Sequence, residues 1–201
     1  TEITARPTAT PAKPAGAPAT SASGALASNL TAGSAHQTAT SSTTPDSAFA
    51  EFHTRQGGLL YLLNFLNRAE AQSLLGDFGE ALPGGWSWLY RLGQELQLDE
   101  TDPIVTFLAN QLGFEQADQL HQLPPLPARE QWLDLARRWY GRAGLWQPSL
   151  LNLYARIQAS PSHVDLFAPL NAVQLPVRLA GLDINPGWLP WLGRVVTFHY
   201  E

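Results

Sequence analysis

The stretch that decides the predicted fold is residues 181–201, which read GLDINPGWLPWLGRVVTFHYE. Its first half is rich in proline and glycine, which fix φ or permit a positive φ and so favour a tight, rigid corner. Residues 195–200 then alternate between two faces, which predicts a β-strand. We therefore expect this segment to pack into the core as a corner that sets the register of the strand. Replacement of Gly187 or Trp188 should then destabilise the domain.

The composition changes sharply after residue 48. Residues 1–48 are almost entirely Ala, Thr, Ser, Pro and Gly, and such a segment buries too little apolar surface to offset the entropy lost on ordering. All 7 Trp, 5 Tyr and 8 Phe lie in residues 49–201. We predict a disordered linker over 1–48 and a single globular α+β domain over 49–201. The chain has no Met and opens within the linker, which favours the C-terminal part of a longer protein.

Charge and cysteine content argue against several classes of protein. The net charge of −5 argues against nucleic-acid binding, which requires a basic face, and against a polybasic membrane anchor. The absence of Cys excludes disulfides, thiol nucleophiles and zinc–thiolate sites. The longest apolar run, residues 59–63, is too short to span a bilayer, and no signal-peptide pattern is present. We expect a cytoplasmic protein without direct membrane insertion.

Apolar residues recur at spacings of three and four over most of the domain, which is typical of amphipathic helices. Asp102 and Pro103 supply an N-cap and a first-turn proline for one of these helices. Gly57 and Gly58 either allow another element to approach closely or mark an irregular first turn. We expect about five helices, the first capped by Thr54, over residues 54–75, 86–98, 104–112, 129–140 and 148–159.

The pattern changes after Pro161. Residues 164–167 and 195–200 alternate as strands do, whereas residues 177–182 fit either a strand or a short helix. The predicted fold class is α+β, predominantly α, with about five helices followed by a small antiparallel C-terminal β element of two or three strands.

Two histidines and one carboxylate are the main catalytic candidates. If their strands pair, His163, Asp165 and His199 would converge as a metal or acid–base site. Both histidines, however, lie opposite their large apolar neighbours on a strand, and no HxxxH or HExxH spacing is present. Half-exposed, hydrogen-bonded histidines are the favoured interpretation, so we assign no catalytic, cofactor-binding or metal-binding residue.

Two charged clusters have the same ambiguity. Residues 99–102, DETD, lack the Gly and distal Glu of a calcium loop, which favours a role at the N-terminus of the following helix. Arg137 and Arg138 stand beside Trp139 and Tyr140 and would suit a nucleic acid. On an acidic domain we favour a helix face with one locally paired Arg and a buried Trp.

The seven Trp exceed what one core of this size requires. Trp86 and Trp88 are two residues apart, so on a helix they point to different faces and one of them should be partly exposed. Exposed Trp is typical of protein–protein surfaces. We select Trp88 and Trp191 as the candidate interaction residues, which favours a binding or assembly role.

Two stretches carry a resemblance to a known family. Residues 54–64, TRQGGLLYLLN, match an opening T-x-x-G-G pattern through Gly57 and Gly58. The second stretch, residues 163–200, matches a pattern whose marked positions are His163, Asp165, Asp183, Pro186, Gly187, Trp188, Gly193, Arg194 and His199. Together they resemble the C-terminal domain of a poorly characterised family encoded in gene clusters for bacterial contractile injection systems, which are phage-tail-like particles. The resemblance covers about a third of the domain, at its two ends.

The resemblance implies a structural or assembly component of such a particle, not an enzyme, that binds other proteins of the assembly and needs no cofactor. It implies a cytoplasmic, particle-associated protein, and it leaves open a place in the baseplate, in the cap, beside the tape measure or as an accessory. One alternative is a helical protein-interaction module unrelated to injection systems. The other is a metal-dependent hydrolase that uses His163, Asp165 and His199.

Overall fold

The computed structural model describes residues 49–201. The linker predicted over residues 1–48 lies outside the described residues. None of the helices within 49–201 combines the length and the apolar character needed to cross a membrane.

The described residues form one mixed sheet and a helical layer. Its five strands are β1 (Ala50–Thr54), β2 (Ala155–Ala159), β3 (His163–Ala168), β4 (Gly187–Leu189) and β5 (Arg194–Tyr200). The α-helices are α1 (Leu62–Leu66), α2 (Ala69–Phe78), α3 (Gly84–Glu95), α4 (Pro103–Gln111), α5 (Arg129–Tyr140) and α6 (Leu175–Leu179). Short 3-10 helices occupy Gly57–Tyr61, Gly79–Ala81, Ala117–Gln122, Gly141–Ala143, Pro148–Leu150 and Leu170–Ala172.

The sheet contradicts the predicted β element. Its strand order is β1-β2-β3-β5-β4, so one edge strand comes from the start of the described domain. The pair β3–β5 is parallel, whereas the other three pairs are antiparallel. The connection over residues 169–193 contains α6 and β4, and a crossover of this length can return the chain in the same direction. The prediction of helices followed by a small antiparallel C-terminal element is therefore wrong.

Two predicted helices also differ from the structure. Thr54 ends β1 and does not cap a helix, and the first helical segment is divided into Gly57–Tyr61, α1 and α2. The predicted helix over 148–159 is a 3-10 turn followed by β2. The sequence ARIQA of β2 alternates between buried and half-buried side chains, and its apolar residues also fit a helical spacing with the preceding leucines. In the undecided segment, residues 177–179 end the short helix α6 and residues 180–182 form the turn that follows it.

The inner face of the sheet packs into the core. Ile157, Leu166 and Val196 on the three central strands are fully buried. On the helical side, the centroid of the Phe65 ring lies 6.2 Å from that of Trp132 and 5.7 Å from that of Tyr140. One buried cluster therefore joins the sheet to the helices.

The turn after β1 approaches the chain that leads into β2 very closely. The N–H groups of Gly57 and Gly58 donate to the carbonyl oxygens of Leu153, at 2.9 Å, and Leu151, at 3.1 Å. A Cβ on Gly58 would lie 2.1 Å from the carbonyl oxygen of Leu150, which is far inside van der Waals contact. Only glycine fits there, so the close-approach alternative for this pair is confirmed.

A buried carboxylate links β1 to the helical layer. Asp102 accepts hydrogen bonds from the Thr54 hydroxyl at 2.5 Å and from the Arg55 N–H at 2.9 Å. It also caps α4 by accepting from the Ile104 N–H at 3.0 Å, with Pro103 in the first turn. The predicted role of this cluster at a helix N-terminus is confirmed. The same side chain fixes where β1 ends.

We expect Gly58→Ala to lower the free energy of unfolding by about 1–3 kcal/mol or more, because the added methyl forces two backbone segments apart. Chemical denaturation in urea measures this change. Gly76→Ala is the matched control, since nothing lies within 4 Å of a Cβ at that position in α2. The control should be neutral or stabilising by up to about 1 kcal/mol. Equal effects of the two substitutions would contradict the close approach.

Candidate interaction surface

The outer face of the sheet is open over its whole width. Strand alternation places on this face the side chains that are only half-buried or exposed, and no element within residues 49–201 covers them. We call this the outer face; it comprises Glu51, His53, Tyr154, Arg156, Gln158, His163, Asp165, Phe167, Trp188, Val195, Thr197 and His199.

One row of the outer face consists of stacked rings and a guanidinium. The His53 ring stacks on Tyr154, with centroids 5.8 Å apart and planes 20° from parallel. The Arg156 guanidinium lies 4.1 Å from the Phe167 ring centroid. The Phe167 ring in turn stacks on His199 at 4.5 Å and 12°. These contacts hold flat, partly apolar groups in fixed orientations, which lowers the entropy they lose on binding.

The neighbouring row carries charge. Glu51 accepts a hydrogen bond from Gln158 at 2.7 Å, and its carboxylate lies 3.7 Å from the Arg156 guanidinium. His199 Nε2 lies 2.8 Å from an Asp165 carboxylate oxygen. The outer face thus combines rigid rings with groups of both signs, a composition suited to a protein partner.

The proposed metal or acid–base triad is not assembled. Asp165 and His199 converge because they lie on adjacent parallel strands. His163 pairs across the sheet with Val195, and its Nδ1 contacts the Ser162 hydroxyl at 2.8 Å. Within residues 49–201 no group of three or more His, Asp or Glu side chains has the arrangement of a metal site. The hydrolase alternative required all three residues together, and the structure joins two of them.

The marked residues around the corner have structural positions. Gly187 and Gly193 have φ values of +70° and +66°, which only glycine adopts without strain. Asp183 forms an ion pair with Arg178, with the guanidinium nitrogen and carboxylate oxygen 3.4 Å apart. Pro186 immediately precedes β4. The corner is joined to β5 by the Phe198 N–H, which donates to Asn185 Oδ1 at 2.5 Å, and by the Tyr200 hydroxyl, which donates to the Asp183 carbonyl oxygen at 3.3 Å.

Arg194 joins the start of β5 to two other elements. Its guanidinium donates to the Ser160 carbonyl oxygen in the β2–β3 turn and, at 2.7 Å, to the Gln111 side chain at the end of α4. Burial lowers the pKa of Arg194.

Burial raises the pKa of Tyr61 and of Tyr200, whose hydroxyl groups lie 3.4 Å apart beneath the sheet.

Trp88 and Trp191, which were selected as exposed interaction candidates, are not the most exposed Trp side chains of the described domain. Trp88 is only 3% exposed, because its ring packs beside Trp132 at 5.4 Å. Trp191 is half-buried with its ring against Gly85, where a Cβ would lie 2.7 Å from the indole. Trp188 instead is 59% exposed, on edge strand β4. The selection of Trp88 for an exposed role is therefore wrong: both Trp of that helix are buried.

The sequence did not predict several residues of the outer face. His53, Tyr154 and Arg156 lie in or beside β1 and β2, and neither strand was predicted. The signal that would have found them is the period-two alternation of AEFHT and ARIQA.

The chain matches no protein-family model, no curated protein and no solved structure.

Leu189 and Trp188 are adjacent in β4, but the first side chain is buried and the second is exposed. We expect Leu189→Ala, which removes a fully buried side chain, to cost about 2–5 kcal/mol. Trp188→Ala should cost about 1 kcal/mol, because most of that larger side chain already faces solvent. The sequence predicted that replacement of Trp188 destabilises the domain, and a ring packed into the core would make that loss at least as large as the loss in Leu189→Ala. Thermal and urea unfolding of both variants decide between the two, and an equal or larger loss for Trp188→Ala would refute the outward position of this ring.

Proposed function

We propose that the domain is an assembly component of a contractile, phage-tail-like injection particle and that it works by binding other particle proteins through the outer face. It acts in the cytoplasm of the producing cell as part of the particle. The observation that carries the proposal is the open outer face with its stacked row of Tyr154, His53, Arg156, Phe167 and His199.

The chemistry of this face supports binding over catalysis. Phe167 and Arg156 are only half-buried, and Tyr154 is 60% exposed. Aromatic and Arg side chains are the residue types that most often dominate binding energy at protein interfaces. The Asp165–His199 pair lies on an open sheet without the water-excluding cleft that concentrates charge effects in an active site. We therefore assign this pair the role of holding the His199 ring against Phe167.

The resemblance to the injection-system family supplies the particular assembly. Its marked positions Gly187, Gly193 and Arg194 hold the corner between β4 and β5. That corner positions Trp188 at the edge of the outer face and His199 within it. The family signature thus builds the surface through which we propose the domain binds.

Pull-down of the full chain from cells that make the particle tests the proposal. The double variant Tyr154→Ala/Trp188→Ala removes two exposed rings, and we expect it to reduce the recovery of tube, sheath or baseplate proteins at least about ten-fold, as hot-spot aromatics do. Thermal unfolding confirms that the variant is folded.

The control is Leu175→Ala/Leu179→Ala, which removes two exposed apolar side chains on α6, away from the outer face. It should retain full recovery. The proposal fails if the wild-type chain recovers none of these particle proteins, or if the outer-face variant recovers as much as the control.

A further inference from the structure

A second surface lies on the helical side, between α2 and α5. It is an open groove of about 850 Å³, which is within the range of ligand-binding clefts. We call it the α2–α5 groove; the side chains that matter for its chemistry are Glu70, Leu74, Leu135, Arg137, Arg138 and Arg142.

The floor of the groove is apolar. Leu135 is almost fully buried and Leu74 is half-buried. At one end the groove continues to Trp139, which is 44% exposed although a buried ring was expected there. The Arg68 guanidinium lies 4.1 Å from the Trp139 ring centroid, which orients this ring. The accessible apolar surface of the groove is therefore provided by Leu74 and the oriented Trp139 ring, above a buried Leu135.

The rim of the groove is basic. Arg137 is neutralised locally by Asp134, at 3.0 Å. Neither Arg138 nor Arg142 forms an ion pair with another residue of the described range. Counting Arg137, Arg138 and Arg142 against Glu70 and Asp134, the lining has a net charge of +1, while the chain as a whole has −5. The groove is a positive region on an acidic protein.

We infer that the α2–α5 groove binds an acidic amphipathic helix of a partner protein. A channel between two packed helices accepts the side-chain ridge of a third helix. Leucine-type side chains spaced three and four residues apart would cover Leu74 and the Trp139 ring. Flanking Glu or Asp residues would pair with Arg138 and Arg142. This inference does not depend on the outer face or on membership of a particle.

A nucleic acid fits the same groove less well. A phosphate backbone requires a run of cations, whereas Glu70 and Asp134 lie among the three arginines. Only Trp139 offers a stacking ring, and the remaining floor is aliphatic. The observations therefore favour a protein segment with alternating apolar and acidic side chains.

Selection from a random 16-residue peptide library displayed on phage, against the full chain, tests the inference. We expect the enriched peptides to be rich in Glu and Asp, with apolar residues at helical spacing. Synthetic copies of these peptides should bind Arg138→Glu at least about ten-fold more weakly than wild type, since charge reversal turns an attraction into a repulsion.

The matched control is Arg55→Glu, which makes the same charge change at an exposed position outside the groove. It should leave the affinity within about two-fold of wild type. The inference is overturned if the enriched peptides show no acidic bias, or if both variants lose affinity equally. It is also overturned if a single-stranded oligo-dT competes for the groove more tightly than the selected peptides do.

Discussion

The fold is organised around the close approach of Gly57 and Gly58 to the backbone of residues 150–153. It brings the end of β1 against the start of β2, although about a hundred residues separate them in the chain. Asp102 fixes both the end of β1 and the start of α4. Helices α1 to α5 therefore lie in the segment of chain that connects the paired strands β1 and β2. Because two backbone segments meet here, there is no room for a side chain. The two glycines are required for this steric reason.

This arrangement gives the sheet two different faces. The helices formed between β1 and β2 pack on one face, so Ile157, Leu166 and Val196 become part of the core. The other face receives no helix within residues 49–201, and its side chains organise one another through stacking and ion pairs. On the helical side, an open channel lies between α2 and α5. The fold thus presents two surfaces of distinct character, one aromatic and mixed in charge, the other apolar with a basic rim.

The sequence predicted elements where one period dominated and failed where two periods competed. The helix over 129–140 and the cap at Asp102 were predicted correctly because periodicity and end signals agree there. β1 and β2 have five residues each, too few for alternation to outweigh neighbouring leucines at helical spacing. The parallel pairing of β3 with β5 depends on where the 169–193 connection travels, which no local pattern encodes. For the same reason the sequence identified only His163 and His199 of this face as half-exposed strand residues, whereas Trp188 was expected to pack in the corner.

We propose that the outer face is the surface through which the domain binds other particle proteins. Hydroxyl-radical footprinting of the side chains, in the free chain and in intact particles, tests it most directly. We expect the oxidation of Tyr154, Phe167 and Trp188, which share the outer face, to fall several-fold in the particle. Leu175 and Leu179, exposed on α6, should be oxidised equally in both states. Unchanged oxidation of all three outer-face rings in the particle would refute the proposed binding role of this face.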